Sequence, residues 1–179
     1  MQALLVIIYN KENKMGFDLH GQGPFKGEPK KPDFEPKDWD KYTPEEQKVV
    51  DKYIAEREIF QHNNPGVYFR NNVWYWRPLW HYVTEAACSD LIPDEVKQYG
   101  QFNDGQIIDA ELAVKIADRL YALLETNAVV KYDKEYRQQL LDLEENSEEE
   151  KFAKMYPFSV DNVKEFADFC WHSNGFRIC

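Results

Sequence analysis

Hydrophobic positions recur along this chain at two spacings, and each spacing predicts its own kind of element. From about Ile108 to Glu125, Ile108, Leu112, Ile116 and Leu120 line one helical stripe, and Ala113, Ala117 and Leu124 broaden it. Glu111, Lys115 and Asp118 mark the wet side, so this is the clearest core helix. Val163, Phe166, Ala167 and Cys170 repeat the pattern near the end, behind Ser159 as N-cap and Asp161 in the first turn. Gly175 suits the left-handed position that closes that helix. Tyr132, Tyr136, Leu140 and Leu143 predict a third helix from Val129 to about Glu144, and Glu144 to Glu150 reads as a solvated helix end or hinge. Thr43-Pro44-Glu45-Glu46 is a capping box that starts a helix running to about Phe60. Its expected inward residues are Val49, Val50, Tyr53, Ile54 and Phe60. Pro78 fits the first position of a helix reaching about Ser89.

Alternation marks the strands. Gly16–His20, Gly66–Asn71 and Gly175–Cys179 are short, β-prone segments, and about three strands are the minimum for a stable sheet, so they are expected to pair together. The expected fold is mainly α with a small β-sheet (α+β), forming a single compact domain over residues 15–179. Residues 22–43, proline-rich and charged, read as a surface loop or insertion. Ala3 to Tyr9 is apolar but far too short to span a membrane. Lys11-Glu12 can be encoded as a purine-rich ribosome-binding sequence placed just before Met15. Residues 1–14 are therefore expected to be a translated leader or flexible extension.

Composition narrows the function classes. At 179 residues the chain fits one well-buried core, and 15% aromatics supply ample apolar area. A formal charge of −10 argues against direct nucleic-acid binding and against anionic membranes. Three cysteines, Cys88, Cys170 and Cys179, lack metal or redox spacing, which favours a reducing, cytoplasmic setting.

The most unusual stretch is Val67 to Tyr82, V-Y-F-R-N-N-V-W-Y-W-R-P-L-W-H-Y, with three of the five tryptophans. Arg70, Asn71, Asn72, Trp74, Trp76, Arg77 and Trp80 are the candidate ligand-binding residues. If the segment is extended, Trp74 and Trp76 face one way, with arginine and asparagine at the rim. That arrangement suits a small planar or phosphate-bearing ligand, which aromatics stack on and arginine holds. The alternative is that the tryptophans are core. Asp18-x-His20 puts two weak metal-ligand candidates on one side of a strand, without a spacing that defines a metal site, and no cofactor is expected. Cys170-x-His172 reads as a core cysteine beside a helix-end histidine, and Asn103-Asp104-Gly105 as a turn. Gly21-Gln22-Gly23 runs into Pro24, which excludes a dinucleotide fingerprint. No catalytic motif is present, and the catalytic residues stay unassigned.

Four pieces carry a resemblance. Met15-Gly16-Phe17-Asp18-Leu19, Tyr68 through Leu79, Phe166-Ala167-Asp168-Phe169-Cys170 and Gly175-Phe176-Arg177-Ile178-Cys179 resemble a family of small uncharacterised phage and bacterial proteins. The resemblance runs from Met15 through the chain, and the proline-rich loop is the expected departure. It implies a phage, prophage or bacterial setting and no activity. Three readings follow: a binding or accessory protein with an aromatic/Arg pocket; an enzyme or sequestering protein for a nucleotide-like phosphate; and an acidic inhibitor docking on a basic protein partner. The balance leans away from an enzyme.

Overall fold

A four-stranded antiparallel sheet carries the core helices on one face, its strands running in the order Tyr68–Asn72, Gly16–Gly21, Phe176–Ile178, Ile107–Ile108 from edge to edge. The computed structural model describes residues 16–35 and 37–179. The expected leader lies outside them. The strands are β1 (Gly16–Gly21), β2 (Tyr68–Asn72), β3 (Ile107–Ile108) and β4 (Phe176–Ile178). Among the described residues there are seven α-helices: α1 (Pro44–Asn63), α2 (Val73–His81), α3 (Asp94–Tyr99), α4 (Ala110–Glu125), α5 (Ala128–Leu141), α6 (Glu148–Lys154) and α7 (Val160–His172). The result is a single-domain α+β arrangement.

The three expected strands do pair. β1 sits between β2 and β4, antiparallel to both. The fourth strand overlaps the start of an expected helix. Ile108 belongs to β3 rather than to the helix after it, because Asp109 ends the extended run and caps α4, accepting the Leu112 N–H at 2.8 Å. Gly105, at φ +98°, makes the turn into β3 and donates its N–H to the Ile178 carbonyl at 2.9 Å.

Alternation along the strands sends Phe17, Leu19, Phe69, Ile108, Phe176 and Ile178 into the core. There they meet α2, α4 and α7. Ala113, Ile116, Ala117 and Leu120 of α4 are fully buried, as are Val163, Phe166, Ala167 and Cys170 of α7. The alanines let these two helices pack closely. Tyr132 and Tyr136 of α5 pack on Phe158.

The aromatic segment corrects two expectations at once. It is helical from Val73, because the Asn72 side chain caps α2 by accepting the Tyr75 N–H at 3.1 Å. Trp74 and Trp76 therefore do not share a face, and Pro78 lies inside α2 rather than at a helix start. Beyond Pro78 the chain loosens into a π-helical stretch, Tyr82–Ala87, where the Cys88 N–H reaches back to the Val83 carbonyl. Val73, Trp76, Trp80 and Val83 form the buried stripe.

α1 departs from expectation in another way. Its capping box forms as read, with Thr43 and Glu46 exchanging hydrogen bonds. None of its residues is buried, however, and Val49, Ile54 and Ile59 are 49%, 41% and 63% exposed. Its apolar side chains spread around the helix instead of forming one stripe. It therefore lies outside the core, over the far face of the sheet.

Two smaller corrections concern helix ends. Asn174 takes the left-handed position after α7 (φ 55°), and Gly175 follows at φ 84°. In the acidic stretch, Glu150 is buried rather than solvated, because it accepts the Asn146 N–H and pairs with Lys154.

The α4–α7 contact sets a stability prediction. Leu120→Ala removes a fully buried side chain and is expected to cost about 2–5 kcal/mol in denaturant unfolding. Val114→Ala, on the outer side of the same helix, should change stability by less than about 0.5 kcal/mol.

Candidate functional site

The residues of the aromatic segment separate by role. Trp76 and Trp80 are 0% and 1% exposed, stacked on each other with ring centroids 5.2 Å apart. Trp74 is half-buried against Tyr156. Asn71 donates to the Asn162 side chain at 2.9 Å, and Asn162 donates to the Tyr75 carbonyl, tying β2 and α2 to the start of α7. Arg77 donates to the Tyr156 hydroxyl at 2.9 Å and lies over its ring. Arg70, like Tyr68 two residues before it, points to the opposite, outer face of the sheet. The expected wall of indoles with Arg70 and Arg77 at its rim does not form, because α2 turns the indoles inward.

The outer face holds the groups that converge. Antiparallel register sets paired residues side by side on one face of a sheet. Arg70 on β2 faces Asp18 on β1, and Asp18 exchanges backbone hydrogen bonds with Cys179. In the next row, Tyr68 faces His20, and His20 faces Arg177 on β4. α1 lies above with Tyr53, Arg57 and Gln61, one helical turn apart each.

Between helix and sheet is a cleft of about 400 Å³, lined by Asp18, His20, Tyr68 and Cys179 below and Tyr53, Ile54, Arg57, Glu58 and Gln61 above. A second cavity of about 230 Å³ runs toward Gly21–Phe25 and Glu28, and His20 and Arg57 line both. The first falls within the usual range for small-molecule sites, roughly 300–1,000 Å³.

Electrostatics divide these groups into engaged and available. The Asp18 carboxylate accepts a hydrogen bond from the Tyr68 hydroxyl and has the Arg70 Nε 3.6 Å away. Burial raises the Tyr68 phenol above its ordinary range, and the bond to Asp18 adds to this. Burial also holds His20 below the ordinary histidine value, the Arg57 charge pushes the same way, and Asp18 opposes both. Arg57 and Arg177 form no ion pair with any carboxylate among the described residues.

The metal candidates Asp18 and His20 do share the outer face. Among the described residues, though, no group of three His, Cys, Asp or Glu side chains is placed to hold a metal. Cys88 and Cys170 are buried, and burial pushes the Cys88 thiol up to about 12 and Cys170 well above its ordinary value. His172, by contrast, is exposed at the end of α7. Arg57 and Gln61 were missed in the sequence, although their spacing with Tyr53 is the signal of one helix face. No helix among the described residues is long and apolar enough to cross a membrane. No family model matches the chain, and no curated protein or solved structure matches it.

The environment of His20 generates a pH prediction. With its folded pKa lowered, the unfolded chain takes up a proton that the folded chain refuses. The stability contributed by neutral His20 is complete above the ordinary value near 6.5 and is lost as pH falls below it. His20→Gln should remove that component from the stability–pH curve between about pH 7 and 5. NMR titration of the imidazole should give a midpoint below the ordinary histidine value.

Proposed function

We propose that this chain is a small ligand-binding or accessory protein of bacterial or phage setting, acting in the cytosol, with its site in the cleft between α1 and the outer face of the sheet. One observation carries the reading: residues from two strands, the Cys179 that follows β4 and one helix converge on a concavity that the core leaves open. Tyr53 and Tyr68 offer aromatic surface there, and Arg57, His20 and Gln61 offer directional hydrogen bonds. This moves the arginine-and-aromatic pocket expected around Arg77 and the tryptophans to the opposite side of the sheet, where Tyr68 lines the cleft and Arg70 stands beside it against Asp18. Binding is favoured over catalysis because Asp18, the carboxylate the sheet contributes, is already engaged by Tyr68 and Arg70.

Cys179 makes the reading testable without any prior ligand. Cys88 and Cys170 are fully buried, so Cys179 is the thiol that an alkylating reagent meets in the folded protein, and it lines the cleft. A small-molecule library screened by melting should yield compounds that slow Cys179 alkylation, and a ligand at a hundred times its Kd adds about 2.7 kcal/mol of stability. Arg57→Ala should weaken those compounds and leave the unliganded melting temperature unchanged. Arg77→Ala should do the reverse, destabilising the fold by about 1–3 kcal/mol through the lost bond to Tyr156. Hits that leave Cys179 alkylation untouched would overturn the reading.

A further inference from the structure

The two cavities share an acidic lining whose charges do not pair with one another. Asp18 and Glu58 border the larger cavity, Glu28 borders the smaller, and Arg57 reaches both. Three carboxylates against one guanidinium leave an excess of two negative charges. His20 also reaches both cavities, and burial together with the Arg57 charge keeps it neutral at pH 7. Asp18 is engaged by the Tyr68 hydroxyl and faced by Arg70. Arg57, Glu58 and Glu28 form no ion pair among the described residues.

Helix geometry keeps Arg57 and Glu58 apart although they are sequence neighbours. Residues one apart on a helix do not face each other, whereas residues four apart do. Arg57 therefore continues the row of Tyr53 and Gln61, and Glu58 continues that of Ile54. α1 presents to the cleft a cationic row and an anionic row side by side.

A guanidinium with no carboxylate partner calls for an oxyanion, since it has five donors and no acceptor. The carboxylates around it limit how much negative charge can enter, because every further anionic group meets them at short range. One carboxylate on Arg57 already deepens the excess to three negative charges, which calls for cations on the same molecule. Tyr53 and Tyr68 add ring faces that attract an organic cation. We propose that the cleft binds a small amphoteric molecule of the basic amino-acid class, its carboxylate on Arg57 and its side-chain cation beside Glu58 and the two tyrosines. This rests on the cleft being the binding site, and it assigns the charge pattern of what enters it.

The two ends contribute unequally. Arg57 is half-buried where the cavities meet, and a hydrogen bond between charged groups there is worth about tenfold or more in affinity. Glu58 is exposed, where an ion pair is worth about two- to fivefold.

The test uses the full chain and three probes of similar size: L-arginine, agmatine, which lacks the carboxylate, and L-citrulline, whose side chain is uncharged. Binding is read by calorimetry and by protection of Cys179 from alkylation. L-arginine should bind with a Kd below about 1 mM and slow the alkylation. Agmatine should bind about tenfold more weakly and citrulline about two- to fivefold more weakly. Arg57→Gln should weaken L-arginine about tenfold and erase its advantage over agmatine. Glu58→Gln should erase its advantage over citrulline and leave that over agmatine in place. Neither substitution should move the unliganded melting temperature, and Lys131→Gln, on the exposed face of α5, should change nothing.

Agmatine binding as tightly as L-arginine overturns the place of the carboxylate on Arg57, and with it the assignment. Citrulline binding as tightly overturns it through the cation. L-arginine that binds without slowing Cys179 alkylation, or that survives Arg57→Gln unweakened, overturns it as well. If none of the three probes binds while a library compound protects Cys179, the assignment falls and the cleft stands as the site. If nothing protects Cys179, both fall.

Discussion

Two indoles organise this protein. Trp76 and Trp80 lie one helical turn apart on α2, stacked on each other, and Trp76 stacks in turn on Phe17 of the central strand at 5.2 Å. Burying an indole strands its N–H unless an acceptor follows it inside. Here the acceptors come from α3 and its end: Trp80 donates to the Lys97 carbonyl and Trp76 to the Gly100 carbonyl, both at 3.0 Å. The pair thus fixes α3 to α2 with two hydrogen bonds and α2 to the sheet by stacking on Phe17. Gly100 is required at that contact, because a Cβ there would stand 2.2 Å from the Trp80 ring. Phe166 meets Trp76 edge-on from α7, completing the link to the helical layer.

Because the helices satisfy the inner face so fully, the outer face is released from packing duty. Its residues need only suit water and one another, which permits Asp18, His20, Arg70 and Arg177 to stand in adjacent rows across three strands. A one-residue slip in any strand would carry these charges into the core, so the inner-face aromatics also guarantee the register of the polar face. Core and cleft are two readings of the same alternation.

Much of this was legible in the chain. The stripes of α4 and α7, the Thr43 and Ser159 caps and the three pairing strands follow from spacing and side-chain chemistry alone. The segment from Val73 to Trp80 misled because Trp74 and Trp76 alternate as in a strand, while Trp76 and Trp80 also fit a helix; over so few residues the two periods are indistinguishable. The Asn72 cap decided it. Ile108 was absorbed into the following helix, and Ile107 went unassigned, because a two-residue strand has no period of its own. The cleft was partly legible: Asp18-x-His20 and Tyr68-x-Arg70 each place two polar groups on one strand face. What no local pattern could convey is that β1 and β2 become neighbours, or that α1 lies over them.

The attachment of α1 has an energetic meaning of its own. With no buried residue, this twenty-residue helix belongs to the low-stability end of the molecule and opens at a lower free energy than the α4–α7 core. The cleft is complete only while the helix is docked. Its apparent affinity is therefore the intrinsic affinity scaled by the docked fraction, and occupancy in turn raises that fraction. Sequence changes on the outward side of α1, at positions such as Ile59 that touch neither ligand nor sheet, become a means of tuning binding by altering how much of the population holds the roof in place.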